Sequence, residues 1–419
     1  LQYDAFRLDV ELQVASKRRE QITDLSKIID LSTDKKEKPG LLFRLGELYW
    51  EESKFYFFEA NRKDDDKIKA MNAKDEAGIA RAESEKAELM AKSKEFADLA
   101  VEKYYLIVQE YKTYERTDEV LYFLGLNLMD SSDDKNQKKA LASYKRLIEK
   151  YQKSKYLPDA YLAVAEYYFN GSKGKRESLE KALENYKNAA KAYQEYLGRF
   201  PTEPTSYEMR FYLAESFYYS GQFREAAAAY LEVAADPYQS KFRESAAWSS
   251  VKSYEKILQE SVTAGQIPEK SNPSSAWKPE RVDEDGNEVK EVEVEPYPQE
   301  VSDWLAAADF YVLRDIQREG SRKPQVAFAY QTATIAYRFR DLEDSRRRFR
   351  QLVACFPDDD LAADAMANIL NSYRDENDLQ NLERWATIAD RLQLGNPEVT
   401  AEIRKEIKVF KLGAQFQNA

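Results

Sequence analysis

Three glutamates occupy the same position of a repeated sequence pattern, and their carboxylates are the side chains best suited to chemistry. Glu47, Glu166 and Glu215 each follow a small residue, Gly or Ala, which itself follows a large apolar one. Aromatic residues recur within a few positions of each glutamate. A carboxylate beside an exposed ring attracts Lys or Arg by charge and by cation–π interaction. The pattern therefore favours binding of a basic peptide, with a solvated charged stripe as the alternative.

A hydrolytic use of the same carboxylates is a further possibility, for instance in a groove that binds a glycan. Glu166 and Glu215 fall on successive repeats and are expected to lie roughly 10 Å apart or somewhat less, from helix-packing distances. A mechanism also needs an acid and a base in a closed pocket. The sequence indicates no such pocket, so we expect a protein that is not an enzyme.

The chain has no histidine and only one cysteine. Metal sites of the His and Cys type, Ser-His-Asp catalysis, Cys-His catalysis and intrachain disulfides are thereby excluded. Cys355 lies between Ala354 and Phe356, so we expect a small buried apolar side chain and not a nucleophile. Glycine-rich phosphate loops are also missing from the sequence. We expect neither a metal nor a cofactor.

The glutamates belong to a two-helix pattern that recurs six times at about 34 residues. The first helix carries a large apolar residue, a small one and usually a bulky apolar one a turn later. The second carries a small residue, an aromatic residue four positions on and an apolar residue three beyond that. The pattern is formed by Leu45-Gly46-Tyr49, Leu124-Gly125-Leu128, Val164-Ala165-Tyr168 and Leu213-Ala214-Phe217 in first helices, by Ala100-Tyr104-Ile107, Ala140-Tyr144-Leu147, Ala182-Tyr186-Ala189 and Ala226-Tyr230-Val233 in second helices, and by Pro201, Pro237 and Pro357 where units close.

These residues resemble the tetratricopeptide repeat (TPR). The resemblance implies an all-α fold, a right-handed superhelical solenoid of about six or seven helix-turn-helix units. The small residues let paired helices approach closely, and the aromatic residues fill the space against the next unit, so they are expected to be core. TPR domains that grip an acidic chaperone C-terminus use Lys, Arg and Asn on their concave face, and those residues are missing here.

Aligning the chain to the repeat predicts which side chains line the concave face. They come from the first helix of each unit and point away from the second. The face is aromatic and acidic, which suits an extended or helical peptide carrying Lys or Arg. The predicted partner-binding residues are Phe43, Glu47, Trp50, Tyr122, Glu166, Phe169, Phe211, Glu215, Tyr218, Tyr219, Tyr330, Tyr337 and Arg338.

Composition shifts divide the chain into four segments. Residues 1–39 are predicted to form an N-terminal capping helix, and residues 40–260 form repeats that include a helical insertion at residues 61–94, rich in Ala, Lys, Glu and Asp. Residues 261–299 form a proline-rich acidic insertion. Residues 300–419 are predicted to form the last repeats and a C-terminal capping helix.

The proline-rich insertion contains a turn signal. Asp285-Gly286 between alternating Val and charged residues indicates a β-hairpin at residues 281–294, with a disordered acidic loop as the alternative. A calcium loop is disfavoured because the remaining oxygen donors are missing. All insertions fall between the two helices of a unit, so they are expected on one rim of the solenoid. They form either a second docking surface or tolerated loop growth. The insertions are residues 61–94, 130–138, 170–177 and 260–300.

The formal net charge of −11 disfavours nonspecific binding to nucleic acid or to anionic membranes. No apolar run approaches the roughly 20 residues of a membrane span. The chain begins with Leu1 and shows no secretory signal, and a leader or lipid-anchored N-terminus could have been removed.

The sequence thus favours a non-catalytic scaffold or adaptor that binds other proteins, with basic or aromatic peptide segments as partners. The Tyr-rich repeats at residues 160–168 and 211–219 are similar in texture to those of periplasmic and outer-membrane assembly proteins and of gliding-motility machines. This similarity predicts a place in the periplasm or at the periplasmic face of the outer membrane. The alternative is a cytoplasmic regulatory or chaperone-like peptide receptor.

Overall fold

Fifteen α-helices make up most of the chain that the computed structural model describes, which is residues 2–131, 133–171, 178–276, 294–376 and 378–394 with residues 401, 405 and 408. The chain divides into two compact units, residues 1–174 and residues 175–419. Unit 1 contains α1 (Gln2–Leu31), α2 (Lys38–Asn72), α3 (Glu76–Glu110), α4 (Thr117–Met129), α5 (Asp134–Lys150) and α6 (Leu157–Gly171). Unit 2 contains α7 (Leu179–Arg199), α8 (Ser206–Tyr219), α9 (Phe223–Ala235), α10 (Arg243–Thr263), a 3-10 turn (Glu269–Ser271), α11 (Gln299–Leu313), α12 (Lys323–Arg338), α13 (Leu342–Cys355), α14 (Asp360–Asp375) and α15 (Leu379–Leu392).

Helices pack against their neighbours in chain order within each unit. In unit 1, α2 pairs with α3 and α4 with α5; in unit 2, α8 pairs with α9, α10 with α11, α12 with α13 and α14 with α15. The described residues contain no β-strand, only a bridge between Arg318 and Ser321. The predicted all-α helical repeat fold is therefore confirmed.

The small residue of the first helix permits close contact with the tyrosine of the second. Gly46 and Tyr104 show this in unit 1: a Cβ added to Gly46 would lie 2.6 Å from Tyr104 Cε1. Gly125 and Tyr144 repeat the arrangement at 2.7 Å. Real Cβ atoms do not approach a ring this closely, so only glycine lets the two helices pack with these rings in place.

The polar segment at residues 61–94 continues two helices. It lies in α2 and α3, which are joined by a turn at residues 73–75 and pack along their length. Across the outer part of this hairpin, Lys63 pairs with Glu85 at 2.7 Å and Lys67 with Glu83 at 2.8 Å. Ion pairs thus join the helices where apolar side chains are few.

Both ends of the proline-rich insertion are held by partly buried polar contacts. The Arg338 guanidinium donates to the carbonyl oxygens of Asn272 at 2.8 Å and Ser275 at 2.6 Å. Lys270 forms an ion pair with Glu295. The hairpin predicted at residues 281–294 falls almost wholly on residues 277–293, outside the described part, as do residues 172–177 of a shorter insertion and most of the predicted C-terminal cap.

Cys355 is exposed, so the prediction that it is buried is wrong. It lies at the last residue of α13, where the apolar neighbours Leu352 and Val353 turn inward and Cys355 does not. Across the described residues, each helix is either too short or too polar to cross a membrane.

Candidate protein-binding face

Four of the predicted partner-binding residues are buried, so their prediction as surface residues is wrong. Phe43 is 1% exposed and packs against Tyr104 with a ring-centroid distance of 5.8 Å. Tyr337 donates its hydroxyl to Asp375. Arg338 is used to hold the proline-rich insertion. Phe169 is 3% exposed, and all four therefore contribute to packing inside their units.

The half-buried Trp50 ring and the Glu47 carboxylate of unit 1 lie beside cations from the chain itself. Lys54 lies over Trp50, with its ammonium 5.7 Å from the ring centroid, and pairs with Asp130 at 2.6 Å. Glu47 pairs with Arg44 at 3.2 Å. This part of the predicted face is therefore already partly neutralised by internal ion pairs.

Tyr122 belongs to a second internal network in unit 1. Its ring stacks on Tyr156 at a centroid distance of 4.5 Å. The Tyr156 hydroxyl and the Arg116 guanidinium each donate to Glu119 at 2.6 Å. Burial alone would raise the pKa of Glu119, but the hydrogen bonds from Arg116 and Tyr156 and the nearby positive charges together outweigh it and lower the pKa. These residues were not predicted from the sequence, because the network joins α4 to the loops that precede α4 and α6.

Glu166 is exposed near the end of α6. The neighbouring Tyr168 accepts a hydrogen bond from Lys145 at 2.9 Å, and the same ammonium lies 5.3 Å from its ring centroid. Glu47 and Glu166 thus differ in exposure despite their shared repeat position. They do not form equivalent rungs of one acidic ladder.

In unit 2, two predicted residues serve mainly as packing surfaces. Phe211 stacks on Phe242 at a centroid distance of 4.4 Å. Tyr330 is half-buried, packs 5.6 Å from Phe349 and accepts a hydrogen bond from Asn368 at 3.1 Å. Both rings are therefore held by contacts within the unit.

The third glutamate lies among tyrosines. Glu215 accepts a hydrogen bond from the buried Tyr230 hydroxyl at 2.5 Å. From the same helix, Tyr218 and Tyr219 meet edge to face with centroids 5.5 Å apart. Tyr219 also stacks on Tyr186 of α7 at 5.1 Å and is 47% exposed. We call these five residues, from α7, α8 and α9, the Glu215 face.

Local helix geometry explains how the Glu215 face forms. Ala214 is fully buried against the core of unit 2, so the next residue, Glu215, lies at the edge of the buried stripe of α8. Tyr218 and Tyr219 follow three and four positions later and therefore cover the same side of the helix as Glu215. One carboxylate and two aromatic rings therefore lie together on one side of α8.

The carboxylates near the Glu215 face act on the hydroxyls of its tyrosines. Burial first, and then the Glu215 charge, raise the pKa values of the Tyr186, Tyr218 and Tyr219 hydroxyls. Glu255 of α10 raises the pKa of Tyr218 as well. The tyrosines consequently stay neutral at physiological pH, and the net charge of this group comes from carboxylates.

Glu255 of α10 lies near Tyr218 of the Glu215 face and is paired with a lysine of its own helix. Its Oε2 accepts a hydrogen bond from Lys252 at 2.6 Å, while its Oε1 is buried and accepts none. Tyr186, Tyr230 and Glu255 were not predicted as site residues. The signal for Tyr230 was the choice of Tyr over Phe, since a buried hydroxyl usually has a polar partner.

No protein-family model matches the chain, and no curated protein matches it. Among solved structures it is similar to a "Circular tandem repeat protein with novel repeat topology and enhanced subunit contact surfaces", with 13% sequence identity, coverage of 99% of this chain and 95% of that chain, and a TM-score of 0.27. With a TM-score this low, the fold assignment depends on the helices themselves.

Proposed function

We propose that the protein is a non-catalytic scaffold of the TPR type, and that the Glu215 face binds a protein segment that presents Lys or Arg. The arrangement of Glu215 beside the exposed Tyr219 ring carries the proposal. A carboxylate attracts the cationic head, and the ring covers its apolar stem. Helical repeat folds use such extended surfaces to bind other proteins.

The chemistry of the Glu215 face favours a cation over an anion or a neutral ligand. Glu215 and Glu255 both act on Tyr218, so an incoming carboxylate or phosphate would meet like charge. A cation over an aromatic ring gains about 0.5 to 2 kcal/mol, depending on how far it is desolvated. The hydrogen bond from Tyr230 already fixes Glu215, which lowers the conformational entropy lost on binding.

Capture from a native lysate and envelope fraction tests the proposal. The full-length wild type is compared with a Glu215→Gln, Tyr219→Ala double variant, and captured partners are divided into overlapping synthetic peptides. We expect the double variant to bind the active peptide at least about tenfold more weakly, which corresponds to about 1.4 kcal/mol. Replacing the Lys or Arg of that peptide with Ala should cause a similar loss in the wild type and little further loss in the variant.

Glu232→Gln provides the matched control, because Glu232 is an exposed residue of α9 and the charge change is the same. This control should bind like the wild type. Equal binding of the peptide by the wild type and the double variant, with both proteins folded, would contradict the proposal.

A place at the cell envelope is a separate part of the proposal and is supported by repeat texture alone. Fractionation of native cells with an antibody against the chain tests it. Recovery with the soluble cytoplasmic fraction would favour a cytoplasmic peptide receptor instead.

A further inference from the structure

A fully buried carboxylate lies between α1 and α2. Glu52 of α2 has 0% side-chain exposure. Arg18 donates from Nη1 to Glu52 Oε2 at 2.8 Å, and Arg19 donates from Nε to Oε1 at 2.6 Å. Arg18 also reaches Glu51 at 3.2 Å. Two consecutive arginines of α1 thus meet two consecutive glutamates of α2.

Rings complete this contact. The Arg19 guanidinium lies 5.7 Å from the Phe55 centroid and 5.6 Å from the Tyr56 centroid. A planar guanidinium both binds carboxylates and stacks on rings, which an ammonium does less well. The α2 surface formed by Glu51, Glu52, Phe55 and Tyr56, here named the Glu52 face, is therefore complementary to arginine in particular.

Few of the described side chains of α1 are buried apolar ones. Among its described side chains, from residue 11 onward, only Ala15 and Ile29 are buried. Val14 is 50% exposed, Ile28 51% and Leu31 82%. Among the described residues, the polar contacts between α1 and α2 include the arginine pair on Glu51 and Glu52 and an ion pair between Glu11 of α1 and Arg62 of α2 at 2.7 Å.

The energetics permit exchange of α1. A buried ion pair must offset the cost of removing both charges from water, so its net contribution is small compared with its Coulomb energy. When α1 leaves, Glu52 and both arginines regain water, and no lone charge stays buried. A competing helix with the same arginine pair would restore the same contacts.

We propose that the Glu52 face is a binding site for a helix of a protein partner that carries two consecutive arginines, and that α1 occupies this site within the chain. The occupant follows from complementarity, because two guanidinium groups neutralise Glu51 and Glu52 and one covers Phe55 and Tyr56. An apolar helix would leave Glu52 buried without a counter-ion. Helix recognition in a groove is a common mode of peptide binding.

The first test weakens the attachment of α1 to the rest of the chain and adds the α1 sequence as a separate peptide. The chain carries Arg18→Ala and Arg19→Ala, and the probe is a fluorescently labelled synthetic peptide of residues 11–31. By anisotropy, the double variant should bind this peptide at least about tenfold more tightly than a peptide with both arginines replaced by Ala. The wild-type chain should bind the native peptide at least about tenfold more weakly than the double variant does, because its own α1 competes.

Two further variants control for charge and for site. A Lys17→Ala, Lys27→Ala chain loses the same charge from exposed positions of α1, whose side chains are 75% and 70% exposed, and should bind the peptide no better than the wild type. Adding Glu52→Gln to the arginine double variant should abolish binding of the native peptide.

A folded double variant that binds neither peptide would overturn the proposal and leave α1 as a permanent cap. A dimer of the double variant that excludes the peptide, seen by light scattering, would assign the face to a second copy and would also overturn it. If the double variant does not fold, a protease site is placed in the wild-type chain at residues 33–36. After cleavage, replacement of α1 by the labelled peptide supports the proposal, and full retention of α1 overturns it.

Discussion

Glu47 of unit 1 and Glu215 of unit 2 share a repeat position but have different neighbours. Arg44 pairs with Glu47, so a cation of the chain already occupies that carboxylate. Glu215 accepts a hydrogen bond from the neutral hydroxyl of Tyr230 and lies on the same helix side as two tyrosine rings. The comparison teaches that the repeat position determines where on the helix a side chain is attached. The neighbouring side chains determine whether it can bind a partner.

The residue before each glutamate differs as well. Tyr104 lies directly over Gly46, and its buried hydroxyl has no hydrogen-bond partner. In unit 2 the small residue is Ala214, and the Tyr230 hydroxyl reaches the adjacent Glu215. Two versions of one repeat therefore use the same tyrosine position for close packing in one case and for a polar contact in the other.

The largest effect is expected from Gly46→Val. The new Cβ would lie 2.6 Å from Tyr104 Cε1, and the two methyl groups would add to the clash. We expect the free energy of unfolding to fall by about 3 kcal/mol or more. Denaturant unfolding measures this change. Gly198→Val is the control, because no atom lies within 4 Å of its added Cβ, and it should change stability by less than about 0.5 kcal/mol. Equal effects at residues 46 and 198 would refute close packing.

A pair of Tyr→Phe variants sharpens the comparison. Tyr230→Phe removes a hydrogen bond to a carboxylate and should cost about 2 kcal/mol. Tyr104→Phe removes a buried hydroxyl without a partner and should be neutral or stabilising. Thermal and denaturant unfolding of both variants provide the measurement. A larger loss for Tyr104→Phe would reverse our assignment of the two hydroxyls.

Buried tyrosines should make the stability of the protein fall at alkaline pH. Burial raises the pKa of Tyr311 to about 12, and burial together with Glu215 raises the pKa of Tyr230 further. The unfolded chain loses these protons near pH 10, so stability is full below pH 10 and falls as pH rises through the window above it. Each such tyrosine contributes a loss of about 1.4 kcal/mol per pH unit. Denaturation between pH 8 and pH 11 should therefore show a shallower alkaline decline for Tyr230→Phe, and an unchanged decline would contradict this origin.

The smallest effect is expected from Glu47→Gln. The Arg44 and Glu47 side chains are 52% and 26% exposed, and such pairs contribute less than about 1 kcal/mol. We also expect no change in binding of the peptide recognised by the Glu215 face. Titration of that peptide into the variant measures this, and a loss as large as that of the Glu215→Gln, Tyr219→Ala double variant would argue for an acidic face that includes both glutamates.

Periodicity was enough to predict the helical repeats. Residues such as Gly46 and Tyr104 recur at spacings that only paired helices satisfy, and their close contact is observed. The same alignment predicted Glu215, Tyr218 and Tyr219 on one helix side; the two tyrosine rings meet edge to face, and the Glu215 charge acts on both hydroxyls. Whether they bind a partner stays a prediction.

The failed predictions arise from rotation and long-range packing. Phe43 and Phe169 are buried because the rotation of their helices turns them into the core, and a repeat alignment does not specify that rotation. Arg338 is buried because residues 272–275 fold back over it, a contact between positions more than 60 apart. The Glu52 pairs likewise depend on how α1 packs, which no local pattern encodes.

The long hairpin of α2 and α3 also bears on the order in which unit 1 folds. Its contacts form across a short turn at residues 73–75. Asp75 caps the start of α3 by accepting a hydrogen bond from the Gly78 amide at 3.0 Å. Local contacts of this kind have a small loop-closure cost and form early. Glu52 can meet Arg18 and Arg19 only after α1 has turned back along an existing α2. Helix α1, although it precedes α2 in the chain, is therefore expected to be among the last elements of unit 1 to acquire its native contacts.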